Sequence, residues 1–238
     1  MARAARKAQA SPGKRSSTSR RSRAETAARK QVVTAGLTLE ASGLTPGKSG
    51  NVSVRFGDGM LISPSGMPYS DITVDDVVLV SSDGDVPDGQ RKPSSEWRFH
   101  LSALQARPDR HAVVHTHSRH ATILACRHEP IPAFHYMVAV AGGADIPCVP
   151  YAAFGTDELA AHVAVGLEAR DACLMANHGM IALGDTMAAA LDLAREVEEL
   201  ATQYCSVLTL GGPKVLNQKQ MVDVLERFKS YGQANAKA

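Results

Sequence analysis

The sequence predicts one α/β domain, with a central mixed and mostly antiparallel sheet flanked by helices. Three observations support this class. Segments with helical periodicity alternate with short apolar runs, glycine-containing turns join several of these runs as hairpins, and the sequence shows neither an internal linker nor a repeat of solenoid length. The 238 residues, 44% of them hydrophobic, suffice to bury one sizeable core.

Periodicity and turn residues predict each element in turn. Apolar positions at helical spacing indicate helices, and apolar runs indicate strands. Gly43 ends the first helix, and the Gly57-Asp58-Gly59 bend joins the first two strands as a hairpin. The first half should contain a helix at 24–42, strands at 52–55, 60–63 and 77–80, and a helix at 94–107 opened by serines suited to N-capping. The second half should contain a strand at 112–114 leading into histidines, a helix at 119–127, an extended segment at 147–149, a helix at 157–167, a hairpin of 172–176 with 180–183, and helices at 186–210 and 219–230.

Charge is unevenly distributed along the chain. Residues 1–22 contain seven Lys or Arg and no Asp or Glu, so 19 of the 26 basic residues remain against 24 acidic residues in the rest. Such a basic segment cannot bury apolar surface. We therefore expect a disordered basic tail at 1–22 and a folded catalytic domain at 23–238. The tail could contact nucleic acid or act as an organelle transit peptide, but a mobile appendage without specific function is favoured.

Composition also excludes several classes of protein. No run of about twenty apolar residues exists, so no membrane span is expected. No apolar stretch follows the basic start, so we expect a cytoplasmic and not a secreted protein. The cysteines lie in apolar surroundings without a Cys-x-x-Cys pair, which predicts buried, reduced thiols and neither a disulfide framework nor a structural zinc: Cys126, Cys148, Cys173 and Cys205.

Three histidines form the candidate site. His115 and His117 follow the apolar run Ala112-Val113-Val114, and side chains two residues apart on a strand point to the same face. His178 follows a second apolar run, 172–176. Three imidazoles at two strand ends could converge on one metal and leave a position open for substrate, as in catalytic zinc sites. Ordinary core or loop histidines are the alternative.

Small polar clusters are a second feature. Gly47-Lys48-Ser49 looks like the end of a nucleotide-binding phosphate loop, but Ser42 stands where that motif needs glycine and a helix precedes it, so we reject a nucleoside triphosphatase. Hydroxyls and backbone amides in turns can still bind a single phosphate. Three clusters suit a monophosphate substrate if the fold unites them, with turn and capping chemistry as the alternative: Ser49-Gly50-Asn51, Ser63-Pro64-Ser65-Gly66 and Ser94-Ser95.

Glu96 is the candidate acid. We expect it in the first turn of the helix at 94–107, where an acid would simply complement the helix dipole. Beside a metal held by three histidines, its carboxylate could instead be a fourth ligand or the general base.

Longer motifs carry a family resemblance. The block Pro93-Ser94-Ser95-Glu96-Trp97-Arg98-Phe99-His100 resembles the signature of the class II aldolase/adducin family, and within it the L-fuculose-1-phosphate aldolases. The resemblance covers about residues 24–232, all but the basic tail. Ala176-Asn177 and 208–216 depart from the fuculose pattern, which leaves the sugar open. Further matching segments are 49–55, His135-Tyr136-Met137, Ile146-Pro147-Cys148 and 150–156.

The resemblance implies a class II, metal-dependent aldehyde-lyase of pentose catabolism. Its substrate would be L-fuculose 1-phosphate or a related deoxy- or methylthio-pentulose 1-phosphate, cleaved reversibly to dihydroxyacetone phosphate and an aldehyde. One Zn²⁺ per subunit would bind His115, His117 and His178, with Glu96 as a further ligand and as the acid/base. Tyr136 would serve the C4 oxygen in a neighbouring subunit's site, in a homotetramer with sites between subunits.

The resemblance also implies how the substrate is held. The phosphate would be bound by one set of residues, Gly50, Asn51, Ser65, Gly66, Ser94 and Ser95. The aldehyde side would be shaped by a second pair, Phe154 and Tyr231.

Three other functions are disfavoured. A class I aldolase needs a lysine in an apolar setting, and no lysine of this sequence lies in an apolar strand. A pentulose-5-phosphate 4-epimerase of the same superfamily would use the same metal, but such epimerases carry a different residue at the position of Glu96. A non-catalytic, nucleic-acid-associated protein fits poorly with a complete ligand set, so we expect a small sugar phosphate as partner and neither nucleic acid nor a membrane.

Overall fold

Seven strands form one mixed sheet at the centre of the protein. The computed structural model of the chain describes residues 21–47 and 49–229. The strands are β1 Asn51–Phe56, β2 Gly59–Ile62, β3 Val78–Val80, β4 Ala112–Thr116, β5 Cys148–Val149, β6 Ala172–Met175 and β7 Gly179–Gly184. They lie in the order β3-β2-β1-β4-β7-β6-β5, and every neighbouring pair is antiparallel except β5 with β6.

Six α-helices surround this sheet within the described residues. They are α1 Arg23–Ala41, α2 Trp97–Ala106, α3 Arg119–Cys126, α4 Asp157–Leu167, α5 Met187–Thr209 and α6 Gln218–Phe228, with short 3₁₀ segments at Tyr69–Asp71 and Tyr136–Ala141. Side-chain N-caps define where four of them begin, because an oxygen of the cap residue accepts a backbone N–H that the helix leaves unpaired. These caps are Ser22, Thr156, Thr186 and Asn217.

The two faces of the sheet bury different helices. Val52 and Val114 belong to a core shared with α1, α3 and α5, whereas Val113 belongs to a core shared with α2 and α4. Since side chains alternate along a strand, Asn51 and His115 project from the α2 face. Asn51 of β1 also stands opposite His115 of β4 in the antiparallel register. This register places the candidate site under the beginning of α2.

The predicted fold class is confirmed, and most elements begin and end within a few residues of the expected positions. The sequence did not predict two features, the 3₁₀ segments and the parallel pairing of β5 with β6. The prediction of four buried thiols was wrong in detail. All four cysteines are free, but Cys126 is exposed and only Cys173 is fully buried, because Cys126 ends α3 on its outer face while Leu124 and Ala125 face the core.

Parts of the predicted organisation fall outside the described residues. Of the tail predicted at 1–22, only Arg21 and Ser22 are described, and Ser22 caps α1. Tyr231 also lies outside the described residues. Among the residues that are described, no helix is both long and apolar enough to cross a membrane.

Candidate metal centre and its surroundings

Four side chains converge where β4, the β6–β7 turn and the start of α2 meet. Glu96 directly precedes α2, His115 lies near the end of β4, His117 follows that strand, and His178 lies in the turn between β6 and β7. One ligand atom from each residue lies within 4.8 Å of every other. The three predicted histidines and the predicted acid are therefore brought together.

The geometry of the cluster fits a divalent metal. The three imidazole centroids are mutually 4.9 Å apart, a threefold arrangement. Nε2 of His117 lies 3.0 Å from Nε2 of His115, and the Glu96 oxygens lie 3.3 Å from His115 Nε2 and 2.8 Å from His178 Nε2. Tetrahedral zinc with bonds of about 2.0–2.1 Å separates its ligand atoms by roughly 3.3 Å. Three nitrogen donors and one carboxylate at this spacing suit such an ion.

The backbone orients His115 for this role. Its Nδ1 lies 2.8 Å from the carbonyl oxygen of Met180 on β7. A carbonyl only accepts hydrogen bonds, so Nδ1 carries the proton and Nε2 keeps its lone pair facing the cluster. Metal-binding histidines commonly donate their other ring N–H to an acceptor of this kind, which fixes the orientation of the ring.

The Asn177-His178-Gly179 turn places the third histidine. Asn177 has a left-handed backbone (φ 55°), and its N–H donates to the carbonyl of Ala125 at the end of α3. A Cβ atom at Gly179 would lie only 2.4 Å from the carbonyl oxygen of Thr116, so only glycine lets the turn approach β4 this closely. The turn therefore delivers His178 to the end of β4.

Burial and neighbouring charge set the protonation of the cluster. Burial alone would raise the pKa of Glu96, but in the metal-free protein the charge and hydrogen bonds of His115 and His178, when these are protonated, hold that pKa well below its usual range. Burial, reinforced by His115 and His178, lowers the pKa of His117 to about 4. The site thus pairs an ionised carboxylate with a histidine that stays neutral near pH 7, the forms that ligate metals.

The position of Glu96 differs slightly from the prediction. Helix α2 begins at Trp97, so Glu96 lies at the N-cap (φ −100°, ψ 9°) and not inside the first turn. Its carboxylate makes no capping bond to the helix, and its own N–H donates to Ser94 Oγ at 3.3 Å. Helix-dipole compensation therefore does not account for this residue, because its side chain is directed at the histidines.

The predicted polar clusters are brought together by backbone hydrogen bonds. The N–H of Ser65 donates to the carbonyl of Lys92, and that of Ser94 to the carbonyl of Ser63, both at 3.0 Å. The N–H of Val52 donates to Ser63 Oγ at 3.3 Å. The three segments around residues 50, 64 and 94 are consequently neighbours, as a shared phosphate pocket requires.

Individual members of this group differ in exposure. Ser65, Gly66 and Ser95 are exposed, whereas Ser94 and Asn51 are buried. Gly50 has φ 88°, and a Cβ there would lie 2.8 Å from the carbonyl oxygen of His115. Glycine is therefore required where this segment passes the metal cluster.

A cavity of about 320 Å³ opens onto the cluster. Its lining includes Phe154, as predicted, and three residues that the sequence did not single out; the full lining is Glu96, His117, Tyr151, Ala152, Phe154, Asn177 and His178. The rings of Tyr151 and Phe154 are 59% and 69% exposed, so they stand at the mouth and not in the core. A larger cavity of about 470 Å³ lies beside β5 and α4 but contains none of the predicted site residues.

Tyr136 does not line this cavity. It begins the 3₁₀ segment Tyr136–Ala141, is 50% exposed, and its ring lies 6.5 Å from that of Phe228 on α6.

Sequence reasoning also missed His100 and Ser53. His100 is completely buried, which, with the charge of His115, lowers its pKa to about 3. Its ring nitrogens lie 2.8 Å from Ser53 Oγ and 2.5 Å from Asn51 Oδ1. The available signal was the spacing of His100 one helical turn after Glu96.

Comparison with known proteins identifies the family. Residues 30–205 match the model of the class II aldolase and adducin N-terminal domain. The chain is 55% identical over 190 residues to a 5-methylthioribulose-1-phosphate/5-deoxyribulose-1-phosphate aldolase of Rhodospirillum rubrum, covering 80% of this chain and 86% of that protein. It is 48% identical over 204 residues to an L-fuculose phosphate aldolase of Escherichia coli, covering 85% and 94%.

The solved structures agree with this assignment. An L-fuculose 1-phosphate aldolase superimposes with a TM-score of 0.82 at 40% identity, over 85% of this chain and 96% of that one. The chain therefore belongs to the class II aldolase and adducin family. Its match to aldolases over most of their length makes it a lyase, as the sequence predicted.

Proposed function

We propose that this protein is a zinc-dependent aldolase that reversibly cleaves a ketose 1-phosphate into dihydroxyacetone phosphate and an aldehyde. The substrates that its relatives' names support are L-fuculose 1-phosphate and the 5-deoxy- and 5-methylthio-ribulose 1-phosphates. The single observation that carries the proposal is the group of three imidazoles and one ionised carboxylate beside an open cavity, which Glu96, His117 and His178 line.

The metal would be held by His115, His117 and His178, with Glu96 within reach of it. Neutral imidazoles leave the positive charge of the ion undiminished, and three nitrogen donors favour zinc over the harder cations that prefer oxygen ligands. A divalent ion bound there supplies a Lewis acid for the negative charge that develops on the C2 oxygen as the C3–C4 bond breaks.

Glu96 is the proposed acid/base. Its carboxylate is ionised and lies at the junction of the cavity and the histidines. In the condensation direction it removes a proton from C3 of dihydroxyacetone phosphate, and in the cleavage direction it returns that proton to C3.

The phosphate would bind across the three adjoining polar segments. The hydroxyls of Ser65, Ser94 and Ser95, together with backbone N–H groups of the turns at Gly50 and Gly66, can surround an anion without a cationic side chain. Asn51 was predicted in this pocket too, and its amide nitrogen lies 2.7 Å from Glu96 Oε2. We propose that Asn51 links the phosphate end of the substrate to the acid/base.

The aldehyde would leave through the mouth of the cavity beside Phe154. Its aromatic ring, with that of Tyr151, offers apolar surface to a methyl or methylthiomethyl group. Tyr136 of a neighbouring subunit would take the proton of the C4 hydroxyl during cleavage and return it to the C4 oxygen during condensation, since Tyr136 is half exposed and does not line the cavity. The proposal therefore includes a homotetramer with sites between subunits.

We further propose that the enzyme works in the cytoplasm, in the breakdown of pentulose phosphates. The four cysteines are free thiols, as is usual in a reducing compartment.

A panel of ketose phosphates tests the proposal. Zinc-loaded enzyme is incubated with L-fuculose 1-phosphate, 5-deoxyribulose 1-phosphate and 5-methylthioribulose 1-phosphate, and dihydroxyacetone phosphate is measured by coupled NADH oxidation. We expect release from at least one substrate, loss of that release after chelation, and recovery on adding Zn²⁺. No release from any substrate by protein that carries its zinc would refute the aldolase. A pentulose 5-phosphate is added to the panel, and its conversion to the C4 epimer, with no dihydroxyacetone phosphate released from any ketose 1-phosphate, would indicate the 4-epimerase instead.

A further inference from the structure

A chain of buried hydrogen bonds runs from Ser53 to the candidate acid/base. Ser53 Oγ lies 2.8 Å from His100 Nδ1, and His100 Nε2 lies 2.5 Å from Asn51 Oδ1. Asn51 Nδ2 lies 2.7 Å from Glu96 Oε2. Ser53 and Asn51 belong to β1, His100 to α2, and Glu96 to the residue before α2, so the chain bridges the sheet and the helix.

The contact of the Asn51 amide nitrogen with the Glu96 carboxylate sets the direction of every bond in this chain. Glu96 can only accept, so the amide nitrogen of Asn51 faces it and the amide oxygen faces His100. That oxygen also only accepts, so His100 must carry its proton on Nε2. Its Nδ1 is then an acceptor, and the hydroxyl of Ser53 donates to it.

Burial leaves little freedom for another arrangement. Ser53 and His100 are 0% exposed, Asn51 6% and Glu96 8%. An unpaired polar group at such depth loses its hydrogen bond to water without replacing it, which is unfavourable. If the Asn51 amide were reversed, its oxygen would face the Glu96 carboxylate at 2.7 Å, and that contact would become repulsive.

We propose that His100 is a positioning residue: with Ser53 it holds the Asn51 amide in the one orientation that fixes the Glu96 carboxylate against the histidine cluster. The inference deepens the proposed function and rests on it, because it assigns His100 and Ser53 to the support of the acid/base. His100 itself does not line the cavity, so it acts through Asn51 and not on substrate.

Glu96 needs such support because its two oxygens have different partners. Oε1 lies 2.8 Å from His178, whereas Oε2 lies between Asn51 and His115. Without the Asn51 amide, Oε2 would keep only the longer contact of 3.3 Å, and the carboxylate could rotate about its last bond. Proton transfer to C3 demands a fixed distance and angle, and a displacement of about 1 Å can cost about 100-fold in rate.

The test compares His100→Phe and Ser53→Ala with Ser102→Ala. Phenylalanine fills the space of the imidazole without hydrogen bonds, and Ser53→Ala removes only the terminal donor. Ser102 is a matched control, because it lies on α2 near His100 but its hydroxyl donates to the carbonyl of Ala160. We expect kcat to fall about 100-fold in His100→Phe and about 5-fold in Ser53→Ala, with KM within about twofold, and no change in Ser102→Ala.

Two readouts do not depend on turnover. Long-range ¹H–¹⁵N correlation of the zinc-loaded protein should find His100 as the Nε2–H tautomer. The visible spectrum of cobalt(II)-loaded protein, which reports the ligand arrangement, should change in His100→Phe and Ser53→Ala but not in Ser102→Ala. Failure of the aldolase assay would refute the proposed function and leave these two readouts intact.

The proposal is overturned by an Nδ1–H tautomer, by unchanged cobalt spectra, or by normal kcat in both variants. It is also overturned if Ser53→Ala loses thermal stability while its kcat and spectrum stay those of the parent, since His100 would then be a packing residue only. Ser53→Ala keeps the test decisive if His100→Phe does not fold.

Discussion

His178 Nε2 lies 2.8 Å from Glu96 Oε1, so the last histidine of the cluster contacts the candidate acid/base directly. The contact joins the β6–β7 turn to the start of α2, two parts of the chain on different elements of the fold. It keeps a carboxylate beside the metal position and open to the cavity. Glu96 can therefore be a metal ligand when no substrate is bound and the base when substrate is bound.

Replacing Glu96 with Gln separates these two roles. The side chain keeps its size but can no longer accept a proton from C3, so we expect kcat to fall by about 10²–10⁴-fold while zinc stays bound by three histidines. Turnover and zinc content are measured on the same preparations. Glu158→Gln is the control, because Glu158 is an exposed acid in the first turn of α4. Near-normal turnover in Glu96→Gln would remove it from the mechanism.

Replacing His117 with Ala tests the ligand set. Loss of one nitrogen from a three-histidine site should weaken zinc binding by more than about 100-fold, since even removing a hydrogen-bond partner of a ligand lowers metal affinity by about 10–100-fold. The dissociation constant is measured by competition with a chromophoric chelator. His111→Ala is the control, because His111 is exposed and adjoins the opposite end of β4. Unchanged zinc affinity in His117→Ala would contradict the assigned site.

Local periodicity explains what the sequence predicted well. The common direction of His115 and His117 follows from the two-residue period of a strand, and the β6–β7 hairpin that carries His178 follows from the runs on either side of Asn177-His178-Gly179. Such features depend on neighbours in the chain, so no knowledge of the fold is needed to predict them.

Contacts between distant segments could not be predicted in the same way. The contact of Asn51 with Glu96 depends on the strand register that places Asn51 opposite His115. It depends also on how α2 packs across that pair of residues. Neither is encoded in a local period. The lining of the cavity by Asn177 likewise depends on its left-handed backbone, which asparagine tolerates but does not require.

Subunit mixing tests whether Tyr136 acts across an interface. Tyr136→Phe and Glu96→Gln should each be nearly inactive. If each site combines Glu96 of one subunit with Tyr136 of its neighbour, tetramers reassembled from an equal mixture regain both groups in about a quarter of their sites. We therefore expect about a quarter of parental activity in the mixture. Each variant taken alone through the same reassembly is the control, and parental activity of Tyr136→Phe alone would place Tyr136 outside catalysis. Mixed tetramers without any recovered activity would place Tyr136 in its own subunit's site.

Replacing Glu198 with Ala tests how the segment after His117 is held. Helix α3 has Ser118 as its N-cap residue, yet Ser118 makes no side-chain capping bond. The carboxylate of Glu198 on α5 does so instead, accepting the N–H of His120 at 2.9 Å and that of Ala121 at 3.0 Å. Loss of a cap and of a negative charge at a helix N-terminus costs about 1–2 kcal/mol.

We expect Glu198→Ala to lower Tm by about 2–8 °C, measured by calorimetry on zinc-free protein. Because His117 directly precedes Ser118, fraying at the start of α3 should also loosen the orientation of His117. Loss of a group that orients a ligand typically weakens metal binding by about 10- to 100-fold, so we expect zinc affinity to fall by about 10-fold. Glu199→Ala is the matched control, since Glu199 is the next residue on α5 and is exposed, with a bond to Gln203 one turn away. Equal Tm values for the two variants would mean that Glu198 does not cap α3 in solution, and a lowered Tm with unchanged zinc affinity would mean that the cap stabilises the helix without orienting His117.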